Sequence, residues 1–224
     1  MPRLPRIDVG NQIYHVINRA NARLPIFFKE EDYEMFVMIL EEAKEKYDMR
    51  ILAFCLMPNH FHLVLHSMKD NDLQKFMQWI TLTHTQRWHT KNNTIGTGHL
   101  YQGRYKSFLI QEDKHLATVI RYVERNPLRA NMVRKAENWK FCSLWFRFYG
   151  NQKQKKLLSI WPIKEPDDYL YFVNTSISEK EEEAIRYCIN RGKPFGATNW
   201  SDVMINKYKL QGTVRNRGRQ IKGT

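Results

Sequence analysis

The order of elements along the chain predicts an α+β fold: an antiparallel sheet of ferredoxin-like type with helices packed on one face. Three observations carry that expectation. Short runs rich in β-branched and aromatic residues alternate with longer stretches whose apolar residues recur every three or four positions. Their order is strand, helix, two strands, helix, strand, helix. Glycine, asparagine and proline mark the joints.

Ile13 to Asn18 reads as the first strand. Tyr33, Phe36, Val37, Leu40, Ala43 and Tyr47 then give one apolar stripe of a helix, with charges between them. Two strands lie between Arg50 and His66, parted at Met57-Pro58-Asn59 because proline cannot donate to a strand ladder. Leu73, Phe76, Met77, Ile80 and Trp88 form the stripe of a second helix, and residues 92–98 are a loop by composition. Another strand covers Tyr105 to Ile110. A third helix opens near Asp113, buries Leu116, Val119, Ile120 and Val123, and is expected to stop at Pro127.

This unit is expected to span residues 1–149. The polar, basic stretch from Gly150 to Lys156 is a candidate boundary, with a mostly helical, basic C-terminal extension over 150–224. In it, Ser178-Glu179-Lys180-Glu181 is a capping-box pattern for a helix that ends at Gly192, and a second helix is expected from Ser201 to Leu210. After Asp202 no acidic residue occurs, while Lys207, Lys209, Arg215, Arg217, Arg219 and Lys222 accumulate. Such a tail reads either as a solvated end or as a phosphate-contacting arm.

Thirty-six Lys and Arg against 23 Asp and Glu give a net charge of +13, and the pI is near 9.7. That excess favours an anionic polymer as partner. The longest apolar run, Ile51 to Met57, is far too short to span a bilayer, so no membrane partner is expected. Met1 to Arg6 lacks the apolar core of a signal peptide. Cys55, Cys142 and Cys188 are widely spaced with no Cys-x-x-Cys pair, which suits reduced cytoplasmic thiols rather than a zinc finger.

Two places carry candidate chemistry. On a strand, His60 and His62 project from one face while Phe61 points to the opposite, packed layer. Two imidazoles aimed into one space suit a metal ion, although two histidines on a strand can equally be half-exposed surface groups. On the third helix, Tyr122 and Asn126 are one turn apart and share a face. Asn126 offers an oxygen beside the two imidazole nitrogens, a mixed donor set suited to Mg²⁺ or Mn²⁺, whereas Tyr122 reads either as packing or as a nucleophile.

His60-Phe61-His62 resembles the His-hydrophobe-His motif of HUH endonucleases, and Tyr122-Val-Glu-Arg-Asn126-Pro127 resembles the tyrosine motif of single-tyrosine transposases. Tyr14-His15-Val16, Asn18-Arg19, Met57-Pro58-Asn59, the stretch Gly98 to Ser107, and Asn126-Pro127-Leu128-Arg129-Ala130 are also similar. The group they resemble is the REP-associated tyrosine transposases, firmly over residues 10–145 and loosely in the basic tail. Departures exist: insertion-sequence relatives often carry Gln where Asn126 stands, and many tails are more basic than Gly218-Arg219-Gln220.

The resemblance implies an HUH endonuclease fold and a divalent metal, Mg²⁺ or Mn²⁺, held by His60, His62 and Asn126. It also implies attack by Tyr122 on single-stranded DNA beside a hairpin, giving a 5′-phosphotyrosine and a free 3′-hydroxyl with no nucleotide cofactor. A monomer rather than a helix-swapped dimer is implied, in the cytoplasm and on the nucleoid of a bacterium. Arg104, Lys106, Arg215, Arg217 and Arg219 are candidate DNA contacts, with solvated-surface roles as their alternative. Tyr101 and Tyr105 are rival nucleophiles, read as packing or base-stacking residues. His66 reads as structural or supporting, and His15 and His115 stay ambiguous. The rival functions are a non-cleaving DNA-binding regulator and a metal-dependent hydrolase of smaller phosphate esters. Retention of His60, His62 and Tyr122 speaks against the first, and retention of Tyr122 against the second.

Overall fold

The computed structural model describes residues 7–215. Four strands, β1 (Gln12–Arg19), β2 (Met49–Met57), β3 (His60–Ser67) and β4 (Lys106–Ile110), form one antiparallel sheet in the order β2-β3-β1-β4. β2 and β3 are joined across Pro58 and Asn59, as the proline break predicts. The turn is tied down because the Pro58 carbonyl accepts from the backbone N–H groups of Ile26 and Phe27.

One face of the sheet carries Tyr14, Val16, Phe54, Phe61, Leu63, Leu65 and Leu109. Against it lie α1 (Glu30–Lys46) and α2 (Asp72–Lys91), with the rings of Phe36 and Phe61 4.8 Å apart. The expectation of helices on a single face does not hold. Ile13, Ala53, Cys55, Val64, Phe108 and Ile110 line the other face, and α3 (Lys114–Glu124) covers it with Leu116, Val119, Ile120 and Val123. The reason is visible in β2: a strand apolar at nearly every position needs cover on both sides.

α3 also ends sooner than expected. Its last residue is Glu124, and after Arg125 one further turn, α4 (Asn126–Arg129), carries Pro127 in its first turn, where a missing N–H is harmless. Three short helices follow that the sequence pattern does not predict, α5 (Ser143–Phe148), α6 (Gln152–Leu157) and α7 (Tyr169–Asn174). Six residues are too few to show a helical period in sequence. α8 (Glu179–Arg191) has the expected Ser178 capping box and ends at Gly192, whose φ of 73° suits glycine. α9 is Thr198–Lys207, three residues ahead of the expected helix, with the Ser201 hydroxyl donating to the Pro194 carbonyl.

Described residues beyond 150 pack onto the sheet rather than trailing from it. Tyr169, Val173, Ile185 and Cys188 join the second core. Phe195 pairs with the free edge of β4 beside Ile110, and Ser159 donates to Ile51 on the outer edge of β2. Both sheet edges are thereby capped.

Candidate active site

Strand alternation puts His60 and His62 on the α3 side of β3, opposite Phe61, as the sequence predicts. In register, His62 stands between Ile17 of β1 and Cys55 of β2, and His60 between Arg19 and Met57. Their ring centroids are 5.0 Å apart. α3 lies over the pair, and His62 is only 2% exposed. Burial, reinforced by His60, His15, Arg129 and Arg19, pulls the His62 pKa well below its ordinary value. Burial, then Arg19 and Arg129, takes His60 down to about 4. Both rings are therefore neutral near pH 7 and keep a lone pair.

Each ring has one nitrogen engaged. Asn59 Oδ1 lies 2.7 Å from His60 Nδ1 and is oriented by its own amide, which donates to the Arg23 carbonyl. Because Asn59 Oδ1 can only accept, His60 carries its proton on Nδ1 and leaves Nε2 as a lone pair. His62 Nδ1 lies 2.9 Å from His15 Nε2. His15 is fully buried on β1, stacks on Phe108 at 4.9 Å, and is taken by burial to a pKa of about 3. Its role is ambiguous in sequence. Its period-2 placement with Ile17 and Arg19 is the available signal, but only the strand register shows that it meets His62. His66 shares that face farther along β3, opposite Ile13 and Arg50, and makes no ring contact with the pair.

Tyr122 projects from α3 into the same space and is 5% exposed. Its ring centre is 6.0 Å from that of His62 and 6.5 Å from that of His15, edge-on to both. Asn126 is buried one turn on; its Nδ2 donates to the Tyr122 carbonyl at 2.8 Å, and its Oδ1 accepts from Arg129 Nη2 at 2.6 Å. The Arg129 guanidinium also lies over the Tyr122 ring, 4.7 Å from the centroid. Burial opposes its charge, yet Tyr122 and Glu182 outweigh burial and raise its pKa. In sequence Arg129 belongs only to a segment with family-like residues; its place three residues after Asn126 is the signal for its role.

The donor set suits a divalent ion. His60 and His62 each keep one nitrogen free of bonds to the protein, and the Asn126 amide oxygen has a second lone pair beside the one taken by Arg129. Among the described residues no group of three or more His, Cys, Asp or Glu could hold a metal, so an ion here would have to draw on the two histidines and an uncharged oxygen.

The other candidates lie elsewhere. Arg104 is exposed, and Lys106 donates to Asn190 at 3.2 Å. Both line a cleft of about 840 Å³ that also holds Arg19, Arg191 and Lys209. The Arg215 side chain is exposed, while its carbonyl accepts from Arg191. Arg217 and Arg219 lie outside the described residues. Tyr101 and Tyr105 are buried in the core on the opposite face of the sheet, where the Tyr101 hydroxyl bonds His84 Nδ1 at 2.6 Å. His115 is held by Asp113 at 2.7 Å at the start of α3.

Among the described residues no helix is long and apolar enough to cross a membrane. A Haemophilus influenzae protein named as a REP-associated tyrosine transposase is 27% identical over 113 residues, 46% of this chain. The chain spans 63% of that relative's length. A solved REP-associated tyrosine transposase, bound to a REP hairpin, covers 80% of this chain and all of its own at 16% identity and a TM-score of 0.53, which shows a shared fold. The sequence pattern of the family described as "Transposase IS200 like" matches residues 8–126, from just ahead of β1 through Tyr122 to Asn126. The chain belongs to the IS200-like transposase family.

Proposed function

We propose that this protein is a metal-dependent single-strand DNA endonuclease and strand transferase acting on hairpin DNA of REP type. One observation carries the reading: Tyr122 stands edge-on to His62, 6.0 Å between ring centres, on the face where two neutral imidazoles converge. The Tyr122 oxygen attacks a phosphodiester phosphorus and gives up its proton. The bond to the 3′-oxygen breaks with its electron pair, and that oxygen takes a proton to become a free 3′-hydroxyl. The other fragment stays on Tyr122 through its 5′-phosphate. Attack by a 3′-hydroxyl on that linkage rejoins DNA and restores the tyrosine, so no nucleotide cofactor is consumed.

His60, His62 and Asn126 would hold Mg²⁺ or Mn²⁺, which when bound supplies Lewis-acid polarisation of the phosphate. Arg129 keeps a permanent positive charge against the Tyr122 ring, and its bond to Asn126 sets the amide. Residues 1–149 form the catalytic part and 150–224 an extension. A net charge of +13 supports a DNA partner, with Arg104, Lys106, Arg215, Arg217 and Arg219 as phosphate contacts. Tyr122 and both histidines come from one chain, which favours a monomer over a helix-swapped dimer, working in the cytoplasm at bacterial DNA. The test is incubation with labelled hairpin DNA bearing a single-stranded flank and Mg²⁺ or Mn²⁺, followed by a denaturing gel. A covalent protein–DNA band supports the reading, and free cleavage products without one would replace Tyr122 by water as the nucleophile.

A further inference from the structure

The helix bearing Tyr122 is gripped along its outer side by residues that lie beyond the stretch matching the family. Arg121 Nη2 donates to the carbonyls of Thr175 and Ser176 at 2.7 and 2.9 Å. Glu124 accepts from the Tyr169 hydroxyl of α7 and from the Ser143 hydroxyl. One turn later Arg129 Nη1 donates to Glu182 of α8 at 2.8 Å. Three successive turns of α3 and α4 are thus engaged, and Tyr122 lies within that span.

One of these bonds reaches the site itself, and another fixes the helix two residues past Tyr122. Glu124 is fully buried, where a carboxylate is costly unless its bonds are complete, and Tyr169 supplies one of them. Arg129 touches the Tyr122 ring, the Asn126 oxygen and Glu182 at once, so whatever orients Arg129 is felt by both groups.

We propose that α7 and α8 form a clamp that positions Tyr122 for attack, with Tyr169 acting through Glu124 and Glu182 acting through Arg129. This rests on Tyr122 being the nucleophile. Tyr169 and Glu182 are positioning residues: each acts through another side chain, Glu124 or Arg129. The extension is then a working part of the active site. Its effect is to lower the freedom of the attacking oxygen, since a misplacement on the ångström scale can cost about a hundredfold in rate.

The test uses the full-length chain, a hairpin oligonucleotide with a single-stranded flank, and Mn²⁺. Single-turnover cleavage at saturating DNA, hairpin affinity and amide hydrogen exchange are compared for wild type, Tyr169→Phe and Glu182→Gln. The clamp requires the cleavage rate at saturation to fall about tenfold to a hundredfold with affinity unchanged. Exchange over residues 114–129 should rise while β1 and β3 stay protected, and Glu182→Asp should recover part of the rate. Should Tyr169→Phe fail to fold, Glu182→Gln carries the test alone, since Glu182 is near the surface with 23% of its side chain exposed. Unchanged rate and exchange would overturn the clamp. A faster Glu182→Gln enzyme would overturn it too, because Glu182 would then be a blocker that DNA must displace from Arg129. If the wild type forms no adduct but exchange responds as described, it is the nucleophile assignment that fails, and the mechanical grip on α3 stands.

Discussion

His15 Nε2 lies 2.9 Å from His62 Nδ1, and with both rings neutral a single hydrogen bridges them. When His62 donates that hydrogen, its Nε2 lone pair is free for a metal. His15 Nδ1, buried without a partner, must then carry a proton. His15→Ala should therefore weaken Mn²⁺ binding by about 10- to 100-fold. The free-ion signal in an electron paramagnetic resonance titration reads this directly. Unchanged affinity would mean that His62 needs no help from β1 to present its nitrogen.

Tyr122→Phe should abolish cleavage and the covalent adduct while leaving hairpin affinity intact. Only the attacking oxygen is removed, and a phenylalanine ring still accepts the Arg129 guanidinium. Normal cutting by this variant would sink the mechanism. Tyr101 and Tyr105 would be poor replacements, since both lie in the core across the sheet.

The strands and the first two helices are legible in sequence because each rests on local periodicity, whereas spacing alone leaves His60, His62 and Tyr122 open and their reading comes from the family resemblance. β2 shows where that reading falls short. Its apolar run is too short for a membrane-spanning helix, but a run apolar at both parities is also what a doubly covered strand looks like. That second meaning places a helix over the histidines. His15 and Arg129 escape for a different reason: their contacts depend on strand register and on how α4 turns after Arg125. Glu124 with Tyr169 is out of reach, being a buried pair 45 residues apart whose members both look like helix surface in sequence.

Phe61→Ala should cost roughly 3–5 kcal/mol in a denaturant melt, because its ring packs against Phe36 and Tyr101 and is completely buried. His60→Ala, at a half-buried strand start, should abolish activity with little effect on the melt. His62→Ala should fall between them, since it removes a buried ring and strands His15. A His60 variant as damaged as the Phe61 variant would show that this imidazole supports the fold rather than the chemistry.

Stability should fall in mild acid. Burial takes both His15 and His84 down to about 3, while in the unfolded chain each titrates near its ordinary 6.5. Above 6.5 neither state is protonated and they contribute no slope. Between 6.5 and about 3 the unfolded chain binds the extra protons, so stability drops as pH falls. The drop approaches about 1.4 kcal/mol per pH unit for each histidine. Urea melts in neutral and mildly acidic buffer measure it. His84→Gln, which can still accept from Tyr101, should make the pH dependence shallower, and an unchanged dependence would rule out His84 as a source.

The basic tail offers a separable test of DNA binding. Cutting after Leu210, at the end of the last expected helix, would remove the carbonyls of Gly212, Thr213 and Arg215 that Arg191 binds, and would confound binding with local folding. Cutting after Arg215 leaves those bonds in place and deletes Arg217, Arg219 and Lys222. If these three neutralise phosphates of the single-stranded flank, the log–log salt dependence of hairpin binding should flatten by up to about 0.7 for each phosphate no longer neutralised. The rate at saturating DNA should survive, because Tyr122 and the histidines lie on α3 and β3 and the clamp residues Tyr169 and Glu182 are retained. An unchanged slope would make the tail a solvated end. A collapse of the rate at saturation would instead place part of the tail at the reacting phosphate, a role that nothing between Ile7 and Arg215 requires.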